Sequence, residues 1–155
     1  MLYYNMSRIL LLGNFGYIGL HCQSVLKRLN INYDCLDIGL YGSVECENLV
    51  GRDIRTDLQK LDLSKYLSII HVAAIVGDGG AQVDSQISKD VELNSLKYIR
   101  DNYSGRLVWA SSCSIYGASE SAELLTESSP LNPLSLYVEN KVSGEEILKN
   151  RPNTV

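Results

Sequence analysis

A chain of 155 residues, 45% hydrophobic and 21% charged, is long enough for one domain with a sizeable core and hardly long enough for two. A formal net charge of -4, with no cluster of Lys and Arg, argues against a nucleic-acid-binding face. No apolar run approaches the roughly 20 residues that cross a bilayer, and the first residues lack the charge and cleavage site of a signal peptide, so a cytoplasmic protein without membrane contact is expected.

Taken in chain order, short β-rich runs alternate with helical patterns, the signature of βαβ units and a mostly parallel sheet. Strands are expected at 8–12, 33–37, 49–50, 67–73 and 106–111. Behind the first lies "GNFGYIGLH", then a helix whose apolar residues Ile18, Cys22, Val25, Leu26 and Leu29 recur at helical spacing. Further helices are expected over 56–66, 83–102 and 137–149. The Ser-, Glu- and Pro-rich stretch 117–133 reads as a long loop, a kind more often functional than idle. The last residues, "NRPNTV", look like a turn and the beginning of another strand. A sheet ending there would leave the 106–111 strand as a bare edge, which calls for a partner such as a second copy of the chain. The fold class is α/β, a Rossmann-like doubly wound parallel sheet forming one domain over 1–155.

Strand, G-x-x-G-x-x-G and amphipathic helix together make the glycines informative. A helix N-terminus presents free N–H groups and partial positive charge, so a pyrophosphate can dock there if no Cβ blocks it. Gly13 and Gly16 suit that approach, and Gly19 lets the helix pack closely on the strand. At the end of the second strand, Asp37 lies about 20 residues beyond the glycines, where a carboxylate can accept hydrogen bonds from an adenosine ribose and repel a 2′-phosphate. The cofactor expected is NAD rather than NADP.

"LYVENK" sets Tyr137 and Lys141 four apart on one helix face. A phenol is a poor base at neutral pH, but an ammonium nearby, together with the positive nicotinamide of oxidised cofactor, would lower its pKa and let it take a proton from an alcohol. "WASSCSIYG" delivers hydroxyls at the end of a parallel strand, where sites of such sheets lie, and Ser112 among them can orient a reacting oxygen.

Together these motifs resemble the extended short-chain dehydrogenase/reductase family, the UDP-glucose 4-epimerase-like nucleotide-sugar epimerases and dehydratases, over essentially all of residues 6–155. The resemblance implies that Phe15, Tyr17 and Ile18 line the cofactor with the glycines and Asp37. It also implies adenine contacts from Asp53 and Ile54 in "GRDIR", and cofactor contacts from Ala73 and Ala74 in "HVAA". Asn94 would help order the active site, Ser112 takes the catalytic Ser/Thr place, and Tyr137 and Lys141 also touch the cofactor. Metal is not required. Chemistry would be transient oxidation of a sugar hydroxyl, with Tyr137 as base, hydride passing to NAD, and the ketone then reduced from its other face. The acidic pair that serves dehydratases is replaced by Cys113 and Ser114, which disfavours dehydration.

Family members continue for about as long again with a domain that binds the sugar nucleotide. The resemblance therefore implies the N-terminal cofactor-binding part only, truncated before the last strands, and leaves two readings: a nucleotide-sugar epimerase, or a non-catalytic or partner-dependent dinucleotide-binding module. Other residues are read as scaffold: His21 on a helix face, His71 and Tyr116 in packing. Glu127 and Ser114 fit substrate contact or loop equally, and Gly77–Gly80 a mobile lip or a plain turn. The four cysteines, without a CxxC pair, are expected to be reduced and buried.

Overall fold

The structure, a computed structural model, describes residues 8–40, 42, 46, 48–118 and 124–155. Residues 119–123 of the expected loop lie outside that set. Five strands, β1 (Arg8–Leu12), β2 (Asn32–Leu36), β3 (Leu49–Gly51), β4 (Tyr66–His71) and β5 (Arg106–Trp109), form one parallel sheet in the order β3-β2-β1-β4-β5. The central strand reads "RILLL" because it is covered on both sides: Leu10, Leu11 and Leu12 are all fully buried. Burial of that kind contributes about 1.5–3 kcal/mol per leucine.

Alternation along β1 assigns the two faces. Leu10 and Leu12 join the larger cluster with Leu36, Leu58, Ile69, Leu96, Ile99, Leu107 and Trp109. Leu11 joins a smaller one with Leu26, Tyr33 and Cys35, against which Ile70 and Val72 are only partly buried. Among the described residues, no helix is long and apolar enough to cross a membrane.

The expectation of a sheet truncated before its last strands, a bare N-terminal part, is corrected. All five strands are hydrogen-bonded, β5 is followed by a full helix, and the last residues return to its outer side: Thr154 bridges Leu107 in parallel, Trp109 N–H donates to Val155 O (3.0 Å), and Val155 N–H donates to Leu107 O (2.9 Å). Arg151 anchors this return by donating to Tyr103 O (2.6 Å) and Gly105 O (2.8 Å). The edge expected to lie bare is thus covered by the chain's own backbone.

Helices depart from expectation where side chains compete for the backbone. The helix read at 56–66 is a short α2 (Ile54–Asp57) followed by two 3₁₀ turns, because Asp53 and Asp62 cap successive starts. The helix read at 83–102 begins earlier and is broken: α3 (Asp78–Val83), α4 (Ser85–Lys89), a π-helical turn (Asp90–Asn94) and α5 (Ser95–Asn102). Asp84 causes the first break by accepting from the N–H groups of Gln86 and Ile87. Gly77–Gly80 carries the start of α3, with Gly77 at φ +83° as its N-cap.

Candidate active site

The turn after β1 is held by contacts no other residue permits. Gly13 has φ +90°, and a Cβ on it would lie 2.5 Å from Ala73 N. On Gly19 a Cβ would lie 2.0 Å from Gly13 O, so α1 (Tyr17–Arg28) starts hard against the turn. Gly16, the N-cap, differs: its Cβ would meet only Gly13 O, at 3.6 Å, and otherwise open space. The helix carries no side-chain cap and no acid in its first turn. An approachable, uncapped N-terminus is what an anionic diphosphate requires.

Asp37 stands just past β2, half-buried. Its Oδ2 accepts the Phe15 N–H (2.8 Å) and its Oδ1 the Gly39 N–H (2.7 Å), tying the acid directly to the glycine turn. Tyr17 and Ile18 are exposed at 81% and 54%, whereas Phe15 is buried. Asp53 caps α2 and accepts from the Arg55 guanidinium, which holds its carboxyl below the usual range, while Ile54 packs into the core. Ala73 and Ala74 follow β4, the former with its backbone against Gly13. Asn94 points outward, donating to Asp90 Oδ1 (2.8 Å) in a groove of about 250 Å³ that Ile54 and Arg55 also line.

Past β5, Ser112 caps the 3₁₀ turn Cys113–Tyr116, accepting the Ser114 N–H, and is near enough to the Tyr137 phenol to favour its ionised form. Tyr137 and Lys141 project from α6 (Leu136–Leu148), whose N-cap Ser135 is bonded to Asp78 of α3. Lys141 is buried: Nζ donates to Ala110 O (2.7 Å), pairs with the Glu92 carboxylate, and lies 4.8 Å from the Trp109 ring and 5.5 Å from the Tyr137 ring. Gly144, one turn on, makes room for Trp109.

Ser112, Tyr137 and Lys141 therefore meet, at the same carboxyl end of the sheet as the glycine turn; Asn94 does not join them. Sequence reasoning missed Glu92, although it recurs with Leu96, Ile99 and Tyr103 at helical spacing and so marked an acid on an apolar face. Its effect reverses an expectation. Rather than being lowered, the Tyr137 pKa is raised, first by burial and then by the Glu92 charge, with Ser112 pulling the other way and Asp78 and Cys113 adding to the rise. His71 is buried as expected, whereas Cys113 is exposed and Cys22 and Cys46 only partly covered.

Residues 9–153 match the model of the NAD dependent epimerase/dehydratase family. The chain belongs to that family. The match runs from β1 to the return of the chain beside β5. Two family relatives are UDP-glucuronate 4-epimerase 2 of Arabidopsis thaliana, 30% identical over 90% of this chain and 37% of that protein, and a putative UDP-glucose 4-epimerase of Methanocaldococcus jannaschii, 28% identical over 91% and 50%. The crystal structure of the Thermus thermophilus UDP-glucose 4-epimerase in complex with NAD superposes with a TM-score of 0.79 at 25% identity, over 92% of this chain and 50% of that one. The chain thus spans half the length, or less, of these epimerase/dehydratase relatives.

Proposed function

We propose that this chain is an NAD-binding domain over residues 1–155 and that its Ser112, Tyr137 and Lys141 serve the transient oxidation of a nucleotide sugar, as in an epimerase. The observation that carries the reading is the convergence of those three side chains beside a glycine turn whose open, uncapped helix start is linked to Asp37. NAD suits the residues present: the Gly16 side would admit its diphosphate, Gly13 and Gly19 keep the backbone low, and Asp37 would meet the adenosine ribose. Family membership and the NAD complex of the Thermus thermophilus relative support the same choice.

When bound, NAD supplies the hydride acceptor. Ser112 would hold the reacting hydroxyl by hydrogen bonding, and Tyr137 would remove its proton and later return one. Lys141 would act electrostatically from the base of the site, close to the phenol. Cys113 and Ser114, where an acid pair would serve water elimination, favour epimerisation over dehydration. Phe15, Tyr17, Ile18, Ala73 and Ala74 would border the cofactor, with Asp53 and Ile54 toward its adenine end.

Calorimetric titration with NAD and with NADP tests the site. NAD is expected to bind more tightly, and Asp37→Ala to narrow the gap by about tenfold, the loss of one charge-assisted contact. Incubation with NAD and UDP-glucose or UDP-glucuronate, followed by proton NMR at the sugar C4, tests the reaction. No binding of NAD, or discrimination indifferent to Asp37, overturns the cofactor reading; a Tyr137→Phe chain that epimerises normally overturns the catalytic one.

A further inference from the structure

Glu92 is a group that proton transfer by Tyr137 does not itself demand, yet the fold is built around it. Glu92 lies within the π-helical turn Asp90–Asn94 and is buried there, while Asn94 faces Asp90 on the outside. The carboxylate side chain is 1% exposed and the Lys141 side chain 4%. Lys141 is the one partner its oxygens have among the described residues. A buried carboxylate without compensation is costly, so the two charges depend on each other.

Lys141 is therefore held from three sides: Ala110 O accepts from it, the Trp109 ring lies against it, and Glu92 stands at its back. Lys141 of its own helix lies 5.5 Å from the Tyr137 ring, and the groups whose charge or hydrogen bonding acts on the phenol are Glu92 of the π-helical turn, Ser112 and Cys113 of the loop after β5, and Asp78 of α3. His71 of β4 faces Lys141, with its Nε2 against Ser95 Oγ (2.8 Å) and its Nδ1 unpartnered. Of all these, only Lys141 is a cation. A carboxylate paired with it offsets the field that would make the phenol acidic.

We propose that Glu92 is a positioning residue that locks Lys141 into the base of the site and offsets part of the ammonium's field at Tyr137. The inference rests on the proposed function only in taking Tyr137 as the proton-handling group. The raised pKa of Tyr137, with Glu92 second only to burial among its causes, agrees with it.

The test uses the whole chain labelled with ¹³C at tyrosine Cζ, without cofactor, and follows the Tyr137 resonance, assigned by loss in Tyr137→Phe, between about pH 7 and pH 12. Glu92→Gln is expected to lower the Tyr137 midpoint by about one pH unit, Glu92→Asp to leave it near that of the parent, and Lys141→Met to raise it. A midpoint that Glu92→Gln leaves unmoved or raises overturns the proposal. Should Glu92→Gln fail to fold, the parent labelled at Glu Cδ and Lys Nζ decides: Glu92 protonation must shift the Lys141 Nζ signal in the same step, and an indifferent Lys141 overturns it. Because no NAD is present, failure to bind NAD would overturn the functional reading while leaving this titration intact.

Discussion

Acidification should destabilise this chain through His71. The imidazole is fully buried at the end of β4, and burial, followed by the nearby Lys141 charge, pushes its pKa down from 6.5 to about 3. The unfolded chain takes up a proton near the ordinary value and the folded chain does not, so the stabilisation is complete above that value and is lost as pH falls toward the folded pKa. The whole window, from 6.5 to about 3, corresponds to about 5 kcal/mol, and the part between about pH 6.5 and 4.5 to about 2–3 kcal/mol. That is a large share of the about 5–15 kcal/mol by which domains are stable. Glu92 acts in the opposite sense: its carboxyl is raised by burial, partly offset by Lys141, so its contribution is present at low pH and declines as pH rises through its folded value. The difference between variants therefore isolates the histidine. Urea unfolding at steps from pH 7 to 4.5, comparing the parent with His71→Gln, should show the parent losing about 2–3 kcal/mol more than the variant. Parallel pH dependences would refute the reasoning.

Two backbone contacts give sharper tests. Gly19→Ala would put a methyl 2.0 Å from Gly13 O, a backbone atom with no room to yield; a midpoint loss of about 3 kcal/mol or more is expected in urea unfolding, with circular dichroism checking that the fold survives. Gly144→Ala meets Trp109 Cη2 at 2.5 Å, and the indole must shift. A cost of about 1–3 kcal/mol is expected, with a change in Trp109 fluorescence because it is the chain's only tryptophan. Unchanged fluorescence would mean that the ring does not rest on α6.

The parts legible in the sequence were those with one periodicity and one cause. "ILLL" can only be a strand covered on both faces, and glycines directly behind it mark the turn; the neighbouring acid at Asp37 follows from the same unit. The face of α1 was misread. Ile18, Val25 and Leu29 make a convincing apolar stripe, yet they are exposed at 54%, 41% and 58%, while Gly19, Gln23 and Leu26 are buried. The contact of Gly19 with Gly13 sets the helix's rotation, and Gln23 then turns inward to donate to Asn14 O at 2.8 Å. Hydrophobicity alone cannot report that a backbone contact outranks a leucine. Asn94 and Glu92 show a different limit: the place given to Asn94 rested on resemblance and the fold leaves it outside, whereas Glu92 shares the buried face of Leu96 and Ile99, where a charge is easily passed over as solvent-facing.

Cys113 stands exposed beside Ser112, on the turn that also faces the phenol, while the thiol of Cys35 is sealed in the core and pushed well above its ordinary pKa. The site accordingly comes with its own attachment point: an environment-sensitive dye tethered through that sulfur would stand beside Ser112 and turn binding there into an optical signal that needs no turnover.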